Sequence, residues 1–130
     1  MITIRKPDDK LFNYAEVKEL YERCNEYIKD DEFNDVINNT EFYAFYIAKT
    51  RELIGCIYYF WKGRRLFVNA FAERGHHLLN LECFKLTLSW WKVNVYANAI
   101  QKTSRLCVLK CGFEKVKDNL YVYRRRKNGK

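Results

Sequence analysis

Residues 64–98, RRLFVNAFAERGHHLLNLECFKLTLSWWKVNVYAN, read as a strand, a helix and a second strand. Arg64–Glu73 is a short apolar run rich in β-forming residues. Residues 76–91 then switch to helical spacing in two adjoining stripes. One holds Leu81, Phe84, Leu88 and Trp91, and the other holds Leu79, Cys83, Leu86 and Trp90. A helix this apolar is expected to lie flat on a sheet with little of its circumference exposed. In Lys92–Asn98, Val93, Val95 and Ala97 alternate with polar neighbours, a half-buried strand. A strand–helix–strand crossover returns the second strand parallel to the first, so the sheet contains a parallel pair.

Working toward the N-terminus, Glu41–Lys49 and Glu52–Lys62 are two further β-rich runs. The breaks at Thr50-Arg51 and Gly63 are short enough for tight hairpins, so these strands are expected to be antiparallel neighbours. Ahead of them, residues 31–39 form a short acidic helix. Leu11, Tyr14, Val17, Leu20, Tyr21, Cys24, Tyr27 and Ile28 mark a longer amphipathic one. Met1–Arg5 is an alternating strand, closed by Pro7-Asp8-Asp9 as a turn with helix-capping carboxylates. Toward the C-terminus, a helix over Thr103–Cys111 ends at Gly112. Phe113–Lys117 and Leu120–Arg126 then flank the turn signal Asp118-Asn119. The order is β-α-α-β-β-β-α-β-α-β-β. The expected fold is α+β: one mixed, mostly antiparallel sheet with helices on both faces.

The chain has 130 residues, the size of one domain, taken here as residues 1–123 with a basic tail over 124–130. Its 48% apolar content suffices for a core and excludes disorder by composition. MITIRKPDDK lacks the apolar stretch of a signal peptide, and no run approaches the roughly 18–20 residues of a membrane span. The expectation is a soluble cytoplasmic protein. Five cysteines, odd in number and without a C-x-x-C pair, read as small buried hydrophobes in a reducing compartment. With histidine confined to His76-His77, no metal site is expected. Charge is uneven: residues 1–40 are net −4 and residues 41–130 net +12. Five of the last seven residues, RRRKNGK, are cationic. That segment reads as a solvated end, with contact to nucleic acid or a phosphate-rich ligand as the functional alternative. The run Tyr58-Tyr59-Phe60-Trp61 reads as core on one face and interface on the other, and Trp90-Trp91 as core.

Residues 101–115, QKTSRLCVLKCGFEK, carry a more specific signal. They resemble the fourth-helix signature of the GCN5-related N-acetyltransferase (GNAT) superfamily. Gln101 stands at the Asn position and Ser104 at the small helix-start position, while Lys110, Gly112 and Phe113 match directly. The preceding KVNVYANA also resembles that family's fifth strand. In its compactness, divergent motifs and basic tail the chain is similar in style to the acetyltransferase-like proteins of tailed bacteriophages.

The resemblance implies a splayed gap between the fourth and fifth strands that admits acetyl-CoA, with an amine acceptor attacking the thioester directly. It places Asn69, Ala70, Phe71 and Ala72 beside the acyl group, where a backbone N–H stabilises the oxyanion. The pyrophosphate falls at the following helix start, over Arg74, Gly75, His76, His77 and Leu78, with Asn98, Gln101 and Ser104 completing the cofactor site. Glu73 is the expected general base and Tyr96 the expected acid. Two positions depart from the pattern. The glycines of Arg/Gln-x-x-Gly-x-Gly/Ala are replaced by His77 and Leu79, or by Leu78 and Asn80 in the second register. The customary Tyr on the fourth helix is Val108. Both departures favour the alternative of a catalytically inactive GNAT-fold protein whose partner is another protein or a second copy of itself. Nucleic acid is expected to be an improbable partner.

Overall fold

The computed structural model describes residues 1–28 and 32–125, with residues 25–28 described by backbone alone. Asp31, at the start of the expected acidic helix over 31–39, and residues 126–130 of the expected basic tail lie outside the described residues. The elements are β1 (Ile2–Arg5), α1 (Tyr14–Ile28), α2 (Phe33–Asn39), β2 (Glu41–Ile47), β3 (Leu53–Lys62), β4 (Arg65–Ala72), α3 (His77–Ser89), β5 (Val95–Asn98), α4 (Lys102–Lys110), β6 (Glu114–Lys117) and β7 (Leu120–Tyr123). Their order is the expected one.

The strands form a single sheet in the order β1-β2-β3-β4-β5-β7-β6. Every neighbouring pair is antiparallel except β4 and β5, which the α3 crossover makes parallel. The Gly63 turn has its positive φ at the first central position (64°), the geometry that matches the twist of the flanking strands. Alternation along β3 divides its aromatics between two cores. Tyr59 joins the core under α3 and α4, with Leu66, Val68, Phe84, Leu88, Val95 and Val108. Tyr58 joins the core under α1 and α2, with Val17, Leu20, Tyr21, Phe33, Phe42 and Phe71. Helices therefore cover both faces.

Two local readings need correction. Asp9 does not cap α1: its carboxylate accepts the Leu11 N–H at 2.8 Å in a local turn, and Asn13 caps the helix through the Glu16 N–H at 3.1 Å. Leu11 consequently lies outside the helix and half exposed. The face of α3 is also narrower than its composition suggests. Cys83, Phe84, Thr87 and Leu88 are buried, whereas Leu78, Leu86 and Trp90 face outward. One apolar face suffices to dock a helix on a sheet, and the surplus apolar residues stay at the surface. Trp90 packs by its edge on Tyr43 at 5.3 Å, and Trp91 lies against Tyr59 at 5.2 Å.

Candidate active site

The β4–β5 ladder holds two register pairs, Leu66 with Val95 and Phe67 with Tyr96. Beyond them the strands part, β5 being claimed along its whole length by β7. A cleft of about 390 Å³ opens at the separation, lined by both strand ends and by the first turns of α3 and α4.

Asn69, Ala70, Phe71, Ala72, Glu73, Arg74, Gly75, His77, Asn98 and Ser104 all line this cleft. His76, Leu78, Tyr96 and Gln101 do not. The His76 ring meets the Glu52 carboxylate at 3.1 Å, and Leu78 is 71% exposed. Gln101 is the α4 N-cap residue, with no side-chain cap bond. Tyr96 lies on the α1–α2 face of the sheet, 5.8 Å from the Phe67 ring and with the Arg65 guanidinium 4.7 Å above it.

Backbone donors at the mouth are held by exchangeable side chains. The Glu73 N–H points into the sheet and donates to the Ile54 carbonyl at 3.0 Å, so the alternating Ala72 and Ala70 N–H groups point the other way. The Ala70 N–H donates to the Asn69 side-chain oxygen at 3.1 Å, and the Ala72 N–H to the Cys24 thiol. Burial raises the Cys24 pKa, and that N–H partly offsets the rise.

Two helix N-termini converge on the same cavity. Neither α3 nor α4 has a side-chain cap, so their first-turn N–H groups and positive dipole ends favour an anion. Three of the bulky residues that replace the family's glycines and their neighbours turn away from these amides. Asn80 donates to the Ile54 and His76 carbonyls, each at 3.1 Å, His76 reaches Glu52, and Leu78 faces outward. Gly75 has φ +94°, and a Cβ built there meets nothing within 4 Å. His77, at a glycine position of the family pattern, still lines the cleft.

Glu73 is engaged. Arg23 Nη1 and Nη2 donate to its two carboxylate oxygens at 3.0 and 2.9 Å, and that pairing holds its pKa below the usual glutamate range. Cys107, which the sequence reading left among the structural cysteines, also lines the cleft. A hydrogen bond from the Cys111 thiol holds its pKa below the ordinary thiol value and pushes that of Cys111 far above it. A cysteine one residue before the vacant tyrosine position was the sequence signal for it.

No family model and no curated protein matches the sequence. Solved structures do match. A GNAT-family acetyltransferase from Bacillus anthracis superposes with a TM-score of 0.70 at 13% identity, covering 95% of this chain and 94% of its own. An acetyltransferase from Agrobacterium tumefaciens gives 0.70 at 11% identity, covering 97% and 91%. AtaT complexed with acetyl-methionyl-tRNA gives 0.60 at 10% identity, covering 95% of both chains. These likenesses show the fold, which is that of the GNAT acetyltransferases. No helix among the described residues is long and apolar enough to cross a membrane.

Proposed function

We propose that the chain binds acetyl-CoA in the β4–β5 cleft and transfers its acetyl group to an amine by direct attack. The observation that carries this reading is the early end of the β4–β5 ladder, opposite two uncapped helix N-termini. A strand pair paired along its length would leave no room for a pantetheine arm. The GNAT fold of the neighbours supports acyl-CoA as the donor class.

In this reaction the amine nitrogen bonds to the thioester carbon, the C–S bond breaks, CoA leaves as a thiolate, and the nitrogen gives up a proton. The Ala70 N–H, released from Asn69, is suited to stabilise the carbonyl oxygen as it gains charge. The first-turn amides of α3, with Arg74 and His77 beside them, suit the pyrophosphate. Thr103, Ser104 and Asn98 line the cleft where the pantetheine arm would run.

Proton transfer uses different groups from the family's usual pair. Tyr96 lies outside the cleft lining, and Val108 carries no acidic proton. Cys107 is the candidate acid: a thiol of lowered pKa gives its proton readily to a thiolate of ordinary basicity. Glu73 serves as base where the acceptor displaces Arg23 from its carboxylate, because an ion-paired carboxylate is a weak base. Calorimetric titration with acetyl-CoA tests the reading. Micromolar binding supports it, and no heat at millimolar ligand refutes it in favour of a non-catalytic binding protein.

A further inference from the structure

The pole of the sheet opposite the cleft carries a second constellation. The β3–β4 hairpin contributes Lys62, Arg64 and Arg65, the loop before β5 contributes Lys92, and the chain leaving β7 contributes Arg124 and Arg125, all exposed. The register brings them together. Lys62 is opposite Arg65, Leu66 opposite Val95, and Val95 opposite Tyr123, after which the Arg125 N–H donates to the Asn94 side-chain oxygen at 2.7 Å. Glu114 is the carboxylate that joins them, bonded to Arg124 at 3.1 Å. None of these six cations lies in the 126–130 tail.

Beneath the cations runs a row of rings. Phe60 and Phe67 stack at 6.0 Å with 19° between planes, and Phe67 and Tyr96 lie 5.8 Å apart. Lys62 sits 5.7 Å over Phe67 and Arg65 4.7 Å over Tyr96. Helices α1 and α2 pack chiefly on the β2, β3 and β4 part of this sheet face. The cleft lining begins at Val68 and Ala97, next in sequence to Phe67 and Tyr96, but those side chains alternate to the opposite sheet face, under α3 and α4.

We infer that this basic, ring-floored face binds single-stranded nucleic acid. Phosphates need several cations in a row, and unpaired bases need flat surfaces to stack upon. Lys62, Arg64, Arg65, Lys92 and Arg124 answer the first need; partly exposed Phe60 and Tyr96, with the planar Arg65 guanidinium over Tyr96, answer the second, and buried Phe67 packs between them. An acidic peptide offers nothing to the rings. An anionic membrane favours a cluster of apolar side chains projecting beyond the cations; here exposed Trp61 lies on the opposite face of β3 from Phe60, and the rings on the cation-bearing face lie beneath Lys62 and Arg65.

The test is fluorescence anisotropy of the full chain with a labelled single strand of roughly 15 nucleotides, long enough to span one such site. The expected result is micromolar affinity that falls as salt rises from about 50 to 200 mM, with a log–log slope near −2 to −3 for three or four phosphate contacts. The K62S/R65S/R124S variant should bind at least about tenfold more weakly with a flatter slope. Y96L should bind more weakly at an unchanged slope, because stacking releases no counterions. Truncation after Arg125 should retain binding. The inference is overturned if nothing binds at about 50 mM salt, if the variants bind like the parent, if truncation abolishes binding, or if polyglutamate or anionic vesicles compete as well as nucleic acid. Acetyl-CoA titration of the K62S/R65S/R124S variant should be unchanged, so this site and the cleft fail or stand independently.

Discussion

The side chain of Asn80 lies directly across Gly55: a Cβ built on Gly55 would stand 2.2 Å from the Asn80 carboxamide oxygen. The same carboxamide donates to the Ile54 and His76 carbonyls, joining the first turn of α3 to β3. Ile54 also receives the Glu73 N–H. Three sides of the cleft mouth thus meet at one carbonyl, and the absent Gly55 side chain makes the meeting possible.

Gly55→Ala should therefore displace Asn80 and destabilise the fold by about 1–3 kcal/mol, the range for overpacking a buried site. Asn80→Ala should cost about 1–2 kcal/mol through its two lost hydrogen bonds. The double variant should be more stable than the two losses added together, because without Asn80 the new methyl group meets less. Urea denaturation of the four proteins checks this. Strict additivity would mean that the two residues are not coupled.

Gly75 offers a contrast, since its surroundings are empty and its backbone conformation is what matters. At φ +94°, Gly75→Val forces either strain or a rearranged loop, with a stability cost of about 1–2 kcal/mol. Acetyl-CoA affinity should fall at least about tenfold, because the same rearrangement moves the α3 amides. Paired melting and calorimetry would separate the effects, and an affinity loss no greater than the stability loss explains would argue against a phosphate site there.

For Glu73 the sign of the pH effect follows from its lowered pKa. A carboxylate ionised more easily in the folded state contributes stability above the ordinary glutamate value of 4.5, and loses it as pH falls through the depressed value. The stability difference between the parent and Glu73→Gln should be constant near neutrality and close in acid. Arg23→Ala should raise the Glu73 pKa and, if Glu73 is the base, shift the acid limb of the kcat/KM profile upward. An unmoved limb would assign the base elsewhere.

Cys107→Ser replaces a thiol of lowered pKa by a hydroxyl too weakly acidic to protonate a leaving thiolate at neutral pH. It should reduce kcat about 10- to 100-fold while leaving acetyl-CoA affinity within about twofold, the split expected for loss of an acid. Cys111→Ala tests the partner: loss of its hydrogen bond should raise the Cys107 pKa, read by the pH dependence of thiol alkylation. Equal kcat in Cys107→Ser and the parent would remove Cys107 from proton transfer.

Much of the fold was legible in local pattern. The crossover over 64–98 required a parallel pair and the short breaks at Gly63 and Thr50-Arg51 required hairpins, whereas β3, expected to face core on one side and an interface on the other, buries Tyr58 and Tyr59 in two separate cores. The α1 boundary was misread because Asp9 and Asn13 are both plausible caps, and the choice between them depends on geometry. At the cleft, most residues taken from the family pattern do line the cavity. Tyr96 does not, because a residue on a strand faces one side only, and the pairing with Phe67 turns it toward the Arg65 face.

The sequence by itself determined the order of elements and the parallel pairing, because hydrophobic period and turn chemistry are local properties of the chain. Tertiary structure alone decided where the β4–β5 ladder ends, which bulky side chains leave the α3 amides clear, and that Arg23 grips Glu73. It also decided that cations scattered from Lys62 to Arg125 share one end of the sheet. Each of these depends on the packing of residues remote in sequence, whose proximity no local pattern encodes.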